Sequence, residues 1–371
     1  MSASTRLSSK TIETIVSLLA SNFNALKSCS LVSRAFCSPT RTYLFRNIRG
    51  IHIKLELSPD SVNVIQSISS HVRVTRLSYD DLHNDLMPTI ISSFSCLDTI
   101  TVLGYVDWSS LQKDIVAAIS SRATISSLDL YSIAFKDLDQ FGHLIRSFPS
   151  LTSLLLFDIR FQDPTNKKHD VDSGCKPALE HLTVYGSTVL PIFLTTPTSP
   201  VSLQRLNKFT MMEVFAADFV RVAMLMERAP RLRELHFRSM QKDIVWRAPD
   251  PLDLFGIQII SLVLHESDAD GESLHYLSPE LILTWWLRTF ESGLKLKCVT
   301  LKIFIQSRSN SLFNVELWEK FDAVMRELRA LEDVKIVIRG PERLRILLGK
   351  HISEHCDGLR STDVLKVDTR R

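Results

Sequence analysis

The sequence predicts an α/β protein in which a short N-terminal module of three helices precedes a solenoid of irregular strand–helix repeats. Two observations predict this fold. Apolar residues recur at helical spacing in three short segments before residue 50, and a short apolar motif recurs ten times from residue 74 onward. We therefore expect two regions, residues 1–50 as the helical module and residues 51–371 as the solenoid.

The composition is that of a folded protein with enough apolar surface to form large cores. Apolar residues make up 45% and charged residues 23% of the 371 residues, a length at which a single core no longer keeps growing. The six cysteines are scattered without a CxxC pair, which argues against a zinc framework or a disulfide-dense domain. No apolar stretch approaches the roughly 18 residues of a membrane span. We expect the cytosol or the nucleus as the compartment, with no membrane association.

Three short helices are predicted before residue 50. The first covers Leu7–Leu19, where apolar residues recur at helical spacing and a serine is available as an N-cap. The second covers Ala25–Cys37 and ends before Pro39, because proline cannot donate a helical hydrogen bond. The third covers Thr40–Phe45. So small a bundle has a limited core and usually depends on a neighbour or a partner for stability.

These segments resemble the F-box of fungal adaptor proteins. The resemblance rests on Leu7, on LKSCSLVSRAF at Leu26–Phe36 and on RTYLFRNI at Arg41–Ile48, with SLVSRAF as its most specific part. It implies a three-helix module that docks onto the Skp-type linker subunit of a cullin–RING ubiquitin ligase. The residues that the resemblance assigns to the docking face or its support are Leu7, Ile12, Ile15, Leu26, Leu31, Val32 and Phe36.

Two positions depart from the F-box pattern. Ser8 stands where the pattern has proline, and Lys10 stands where it has glutamate. The resemblance places both positions on the surface that meets the linker, so weaker binding or its loss is the alternative. Residues 1–50 carry seven basic side chains and one acidic side chain, a balance that suits an acidic partner. The resemblance implies such a partner, since the linker family is acidic.

The rest of the chain repeats a unit of the form apolar-x-x-apolar-x-apolar. Seven of the nine gaps between successive fourth positions fall within 23–29 residues, the period of a leucine-rich repeat. Helical patterns lie between the units, so each unit is predicted to be a strand, a turn and a helix that stacks on its neighbours. The fourth positions are Leu77, Ile100, Leu128, Leu154, Leu182, Leu206, Leu235, Leu262, Leu301 and Val334.

The units are irregular, so the resemblance to leucine-rich repeats is one of period and strand pattern. The usual asparagine after the strand is absent, and in the poorest unit, Leu203–Lys208, a lysine replaces the last apolar residue. The alternating run Ile51–Leu57 is the candidate first strand. Strands and helices that alternate at this spacing could also form a doubly wound α/β domain, which is the alternative fold. Four longer segments interrupt the repeat spacing and are either binding loops or ordinary surface loops. They are Gln162–Pro177, Pro191–Pro200, Arg238–Gly256 and His265–Pro279.

A row of side chains is predicted to face outward at the ends of the strands. In each unit the residue after the last apolar anchor points away from the core. This row is rich in aromatic residues and arginine, which are enriched in binding hot spots. The candidate target-binding residues are Tyr131, Phe157, Tyr185, Arg238, His265 and Phe304. The same row includes Leu103 and Val337, with Phe209 in the equivalent position of the poorest unit.

The sequence contains no motif typical of a catalytic or cofactor site. GxGxxG, GxxxxGK[ST], HExxH and GxSxG are all absent. His351 and His355 share a helix face beside Cys356, but no further zinc ligand is evident and a solvated face is the simpler interpretation. Trp285 and Trp286 lie in an apolar helix and are predicted to be core residues. We expect no enzymatic activity, no cofactor and no metal.

These observations predict an adaptor rather than an enzyme. We expect a substrate-recognition subunit of an SCF-type cullin–RING ubiquitin ligase, which binds a Skp-type linker, and through it the cullin, at one end and an unknown target protein at the other. Such a subunit is expected to be a monomer within a hetero-complex and acts by raising effective concentration. The first alternative is a leucine-rich-repeat scaffold whose degenerate F-box has lost the linker. An α/β enzyme and a nucleic-acid binder are further alternatives, but the enzyme lacks an evident polar pocket and the binder lacks basic–aromatic interleaving.

Overall fold

The computed structural model describes residues 8–32, 34–48, 65–163, 176–185, 190–194, 199–240, 248–265, 277–306 and 311–369. The chain is mixed α/β and divides into two compact units. The first contains residues 1–152 and 158–177, and the second contains residues 153–157 and 178–371. The predicted boundary at residue 50, the candidate strand Ile51–Leu57 and predicted linker residue Leu7 lie outside the described residues.

The N-terminal helices pack around a small apolar core. They are α1 (Ser9–Leu18), α2 (Phe23–Val32) and α3 (Arg34–Leu44). The hydroxyl of Ser8 caps α1 by accepting a hydrogen bond of 3.1 Å from the amide of Thr11. The buried core residues are Ile12, Val16 and Leu26, against which Leu19, Phe36, Tyr43 and Leu44 pack.

The second and third helices differ from the prediction at Pro39. The sequence predicted that a helix ends before Pro39, whereas α3 runs through this residue. Proline removes one amide donor, but side chains on both sides of it, Phe36 and Tyr43, pack onto the same core. The buried Thr40 hydroxyl also donates to the carbonyl oxygens of Phe36 and Cys37, at 2.6 and 3.0 Å. Packing thus outweighs the local preference.

The rest of the first unit contains two parallel sheets. Its larger sheet has the order β1 (Asn47–Ile48), β2 (Val74–Leu77), β3 (Thr99–Val102) and β5 (Ser127–Tyr131). The smaller sheet has the order β4 (Val106–Asp107), β6 (Ile133–Phe135) and β8 (Arg160–Phe161). The helices are α4 (Tyr79–Leu82), α5 (Met87–Ser93), α6 (Lys113–Ser120) and α7 (Leu138–Arg146), with 3₁₀ turns at Ser69–His71 and Trp108–Ser110.

The second unit contains a parallel sheet with strands in chain order. These are β7 (Ser153–Phe157), β9 (His181–Val184), β10 (Lys208–Met211), β11 (Glu234–Phe237), β12 (Ile259–His265), β13 (Cys298–Phe304), β14 (Asp333–Arg339) and β15 (Leu365–Asp368). The helices are α8 (Leu190–Leu194), α9 (Asp218–Arg228), α10 (Pro279–Phe290), α11 (Val315–Glu327), α12 (Glu342–His355) and α13 (Asp357–Ser361), with a 3₁₀ turn at Ser311–Phe313. A doubly wound sheet reverses its strand order; among the strands described in either unit there is no such reversal.

The strand register of the second unit gives a more regular spacing between strands β7 and β12 than the sequence pattern predicted. The register partners in one column, all buried except the half-buried last member, are Leu154, Leu182, Phe209, Leu235, Ile260, Val299, Val334 and Leu365. From Leu154 to Ile260 the successive gaps are 28, 27, 26 and 25 residues, and the later gaps are 39, 35 and 31. Three predicted fourth positions were therefore misplaced in this unit. Leu206 precedes its strand, and Leu262 and Leu301 lie two residues beyond the column.

The same displacement occurs in the first unit. Thr75 pairs with Ile100, which pairs with Leu128, so the predicted fourth position at Leu77 is two residues too late. The apolar-x-x-apolar-x-apolar pattern can be placed two residues too early or too late, because a strand with alternating apolar residues matches it at several overlapping positions. The register is set instead by pairing along the whole strand.

A repeated backbone connection holds successive strands of the second unit in register. The amides of Asn207 and Lys208 both donate to the carbonyl oxygen of Glu180, at 2.8 and 3.0 Å. The amides of Arg233 and Glu234 then donate to the carbonyl oxygen of Asn207, at 2.9 and 3.0 Å. The same paired donation recurs at the starts of β12, β13 and β14. Because only backbone groups take part, the connection places no demand on side-chain identity, consistent with the missing asparagine.

The core of the second unit contains an aromatic cluster. Phe219 lies 4.3 Å from Trp285 and 5.6 Å from Phe237, measured between ring centroids. Trp285 and Trp286 are buried, which confirms the prediction that they are core residues. The indole of Trp285 donates to the carbonyl oxygen of Pro249 at 2.7 Å, so its polar atom is satisfied. No helix within the described ranges is long and apolar enough to cross a membrane.

Candidate protein-binding surfaces

Helix α2 leaves three large apolar side chains exposed, and these extend around about half of its circumference because the first and last are nine residues apart. Phe23, Lys27 and Leu31 are spaced four residues apart and so lie along one side of the helix, with Val32 beside Leu31. Phe23 is 63% exposed, Leu31 81% and Val32 75%, whereas Leu26 is buried. We call Phe23, Lys27, Leu31 and Val32 the α2 face. Three large apolar side chains on one short helix make it an unusual surface for an isolated protein.

The predicted linker-binding residues divide into two groups. Ile12 and Leu26 belong to the buried core, and Ile15 and Phe36 are half-buried. Leu31 and Val32 are exposed. Sequence reasoning missed two further exposed apolar residues, Leu18 and Phe23. Leu18 follows the buried Val16 by two positions, which places it on the opposite side of α1, and this phase difference was a signal in the sequence.

The exposed surface of the helical module is basic. Lys10, Lys27, Arg41 and Arg46 are exposed. Glu13, the acidic residue of this segment, accepts a hydrogen bond of 3.3 Å from the hydroxyl of Ser9. Within residues 8–48, as far as they are described, no ion pair compensates these cations. The module therefore combines exposed apolar side chains with net positive charge.

A second candidate surface is a recess at the ends of strands in the second unit. It has a volume of about 470 Å³. Tyr185, Met212 and Arg238 directly follow β9, β10 and β11, and their amides bond to the preceding strands at 2.9 to 3.0 Å. The side chains that define what we call the strand-end recess are Tyr185, Met212, Arg238, His265, Lys302 and Phe304.

The strand-end recess brings together four of the six predicted target-binding residues, but not in one row. Val263 pairs with Lys302, and Arg238 is the next residue after the Phe237–Leu262 pair, so Arg238 lies level with Lys302. His265 pairs with Phe304 two residues further along. The prediction that Arg238, His265 and Phe304 occupy one row was wrong, because β12 and β13 are seven residues long and β11 is four.

Two other members of the predicted row are buried. Phe209 lies in the buried column of register partners. The outward position that the sequence analysis assigned to Phe209 is occupied by Met212. Val337 is also buried. Met212 was missed because the poorest unit was placed three residues too early in the sequence, and Lys302 was missed because the row was assumed to end at the same level in every strand. The alternation in CVTLKIF, which continues as far as Phe304, was the available signal.

Ring contacts organise the aromatic side chains of the second unit. The rings of Phe157 and Tyr185 lie 4.1 Å apart at an interplanar angle of 40°. The rings of His265 and Phe304 stack at 4.9 Å and 11°. Burial lowers the pKa of His265, so its imidazole is neutral at pH 7. Stacked rings with few rotatable bonds form a rigid apolar wall.

Tyr131 lies in the first unit, where it is half-buried. Burial raises the pKa of its hydroxyl. On the same strand, burial also raises the pKa of Asp129, against the opposing effect of a 3.3 Å hydrogen bond from the hydroxyl of Thr101. Tyr131 is thus a separate candidate contact.

A polar cluster lies near the beginning of β10 and β11. Glu234 lies 3.3 Å from Lys208 and 3.2 Å from His236. Burial tends to raise the pKa of Glu234, but the hydrogen bonds from His236 and Lys208 outweigh it and the pKa is lowered. Burial lowers the pKa of His236, although Glu234 acts in the opposite direction. This arrangement is a half-buried ion-pair network between two neighbouring strands.

The candidate zinc residues do not converge. The rings of His351 and His355 lie 4.6 Å apart, but the thiol of Cys356 is buried and contacts the carbonyl oxygen of Trp318 at 3.6 Å. Burial raises the pKa of Cys356 to about 12, so the thiolate that zinc requires is disfavoured. Across the portion of the chain that is described, no three His, Cys, Asp or Glu side chains are grouped to hold a metal.

Comparison with known proteins does not identify a family. No family model and no curated protein matches the chain. Among solved structures, the chain is similar to a crystal structure of a Bacteroides fragilis protein, a structural-genomics target. The TM-score is 0.39 and the identity 13%, over 80% of this chain and 74% of that chain. A likeness of this degree assigns neither a fold family nor a function, so the α2 face and the strand-end recess are the features on which a function can rest.

Proposed function

We propose that the protein is an F-box-type substrate-recognition adaptor of an SCF-type cullin–RING ubiquitin ligase. The α2 face binds a Skp-type linker, and the strand-end recess of a leucine-rich-repeat-like solenoid holds the target protein. The observation that carries this proposal is the exposure of Phe23, Leu31 and Val32 on a helix whose own core contact is Leu26. Leu31 and Val32 belong to SLVSRAF, the most specific part of the F-box resemblance.

The energetic argument for docking rests on the apolar side chains. Burying each of them at an interface contributes about 1.5–3 kcal/mol. Among the described residues of the three helices, the buried apolar residues are Ile12, Val16 and Leu26, and a core of this size gives the module little stability. A linker that covers the α2 face would both bind and stabilise the module. The exposed cations of the module, which form no ion pair among its described residues, match the acidic linker that the resemblance implies.

Support for the solenoid comes from spacing and strand order. Gaps of 25 to 28 residues in the regular part of the second unit match the period of leucine-rich repeats. Strands in chain order, with paired backbone donation at the starts of β10 to β14, are expected when each repeat stacks on its neighbour. The proposed protein does no chemistry; it raises the effective concentration of a target near the ligase.

A leucine-rich-repeat scaffold without a ligase role is the second candidate, and Ser8 favours it. Ser8 is the N-cap of α1 and accepts the amide hydrogen bond of Thr11. The F-box pattern has proline there. If the degenerate F-box has lost the linker, we expect no binding even after Ser8→Pro, whereas a weakened but functional F-box will bind more tightly after the substitution.

The test is capture of a purified Skp-type linker by the full-length chain. We expect Leu31→Asp with Val32→Asp to weaken capture at least tenfold, because two desolvated contacts are lost and charge is introduced. Leu281→Asp is the matched control, since Leu281 is an apolar residue of α10 with 48% exposure that lies outside the module. Equal capture by all three proteins, or no capture by the unmodified chain, would contradict the ligase role.

A further inference from the structure

Cations in the second unit fall into two groups. Near the beginnings of strands, lysines pair with carboxylates of neighbouring strands: Lys208 with Glu234 at 3.3 Å, and Lys366 with Asp333 at 2.6 Å. Arg238 and Lys302, in the strand-end recess, are exposed. Among the residues the structure describes, no carboxylate lies within ion-pair distance of either one. Neither cation is therefore ion-paired within the described part of the chain, and their two positive charges exceed the single negative charge of Glu213, which also lines the recess.

The register fixes the spacing of these charges. Arg238 follows β11 and lies level with Lys302 of β13, with one strand between them. Neighbouring strands are about 4.8 Å apart, so the two backbone positions are about 10 Å apart. Lys302 and Phe304 lie on the same side of β13, two residues and thus about 7 Å apart. An extended peptide places side chains on one side at this same spacing of about 7 Å.

The aromatic wall provides the apolar part of the recess. Phe304 is 37% exposed and is held by stacking on His265. Because the imidazole is neutral at pH 7, this pair adds apolar area without adding charge. Tyr185, fixed against Phe157, lines another part of the recess. The recess thus offers rigid rings beside two cations.

A peptide fits this arrangement better than a nucleic acid. Surfaces that bind nucleic acids follow the phosphate backbone with many cations, whereas the strand-end recess has two. Glu213 also lines the recess, and its charge opposes a polyanion with closely spaced phosphates. A short segment with separated carboxylates and an apolar side chain can engage Arg238, Lys302 and the rings together.

We infer that the strand-end recess binds an extended acidic segment of the target protein, in which a carboxylate two residues from an apolar side chain pairs with Lys302 while that side chain packs on Phe304. A second carboxylate pairs with Arg238. This inference rests on the proposed function, in which the recess holds the target.

The experiment is selection of short random peptides on the immobilised full-length chain. We expect retained peptides to be enriched in Asp and Glu two positions from an aromatic or aliphatic residue. The double variant Arg238→Gln with Lys302→Gln should lose this enrichment, and the best peptide should bind it about tenfold more weakly, with weaker binding at higher salt. Lys335→Gln is the matched control, because Lys335 is an exposed lysine of the same sheet outside the recess.

Several results would overturn the inference. These are peptides without acidic enrichment, the same enrichment on the double variant, an equal loss with Lys335→Gln, or tighter binding of a single-stranded RNA than of the selected peptide. Melting temperatures of the variants establish that they are folded. Linker capture is measured on the same preparations, so that lost peptide selection with intact linker capture contradicts the inference alone. The reverse result contradicts the ligase role alone.

Discussion

The carboxylate of Asp322 accepts a hydrogen bond of 2.7 Å from the backbone amide of Leu359. Asp322 is buried on α11, and Leu359 lies on α13. The second carboxylate oxygen of Asp322 is 3.7 Å from the guanidinium of Arg326. A buried carboxylate thus connects two helices that are distant in sequence.

Removal of this carboxylate should destabilise the C-terminal part of the chain. We expect Asp322→Ala to lower the free energy of unfolding by about 1.5–3 kcal/mol, because a buried amide loses a charged acceptor. Asp322→Asn, which retains an acceptor oxygen, should have a smaller effect. Urea unfolding followed by tryptophan fluorescence measures both, since Trp318 lies one turn away on α11. Lys320→Ala, an exposed position of the same helix, should change little, and a comparable loss there would contradict the assignment.

Two glycines should respond to alanine in opposite directions. Gly340 has a φ of +134°, and an added Cβ would collide with the carbonyl oxygen of Ile305, so Gly340→Ala should destabilise the protein by about 2 kcal/mol or more. Gly142 is within α7, where the three atoms nearest to an added Cβ belong to the guanidinium group of Arg146, at 3.4 to 3.5 Å. Gly142→Ala should stabilise by about 0.5–1 kcal/mol. Thermal unfolding of both variants tests this contrast, and a shared sign would contradict it.

The sequence predicted the strand–helix alternation but not the register of every repeat. Strands such as β7 and β9 were located correctly because Leu154 and Leu182 each begin a clear alternation. At Leu203–Lys208 the pattern failed, because Leu203-x-x-Leu206 and Leu206-x-x-Phe209 satisfy the same first two apolar positions. Pairing of Phe209 with both Leu182 and Leu235 decides between them. Such pairing depends on distant segments, which a local pattern does not contain.

The corrected register leads to a test at β10. Phe209 is fully buried, and we expect Phe209→Ala to cost about 3–5 kcal/mol through lost burial and a cavity. Met212 is the outward residue in the recess, so Met212→Ala should cost about 1 kcal/mol or less. Chemical unfolding of both variants provides the comparison. If Met212 proved the more sensitive position, the register of β10 would be wrong.

The candidate surfaces were predicted only in part, for a related reason. Sequence reasoning found Leu31 and Val32 through the F-box resemblance, and Arg238, His265 and Phe304 through the strand ends. It did not separate the exposed Leu31 from the buried Leu26, since both are apolar residues of one helix. Lys302 was missed because its level relative to Arg238 depends on β12, which lies between them. The exposure of Leu31 and the level of Lys302 therefore depend on neighbours in the folded structure, which the sequence pattern does not contain.

Histidines at the outer face of the second unit should make stability depend on pH. Burial lowers the pKa of both His236 and His265 in the folded state, whereas in the unfolded chain a histidine has a pKa of about 6.5. As the pH falls below about 6.5, the unfolded chain takes up protons before the folded chain does, so stability is lost. At higher pH both states are neutral and the effect is absent. Melting temperatures between about pH 7.5 and 5.5 should therefore fall with acidification.

The variant His265→Gln isolates the contribution of one ring. It should reduce the acid-dependent fall in melting temperature, because it removes one group that titrates differently in the two states. A change that is equal at all pH values would reflect lost stacking on Phe304 instead. Glu234 has a lowered pKa in the folded state, so it changes the stability in a separate pH range, below the ordinary carboxyl pKa of about 4.3. An unchanged slope in His265→Gln would therefore mean that burial of this ring does not disfavour its protonation.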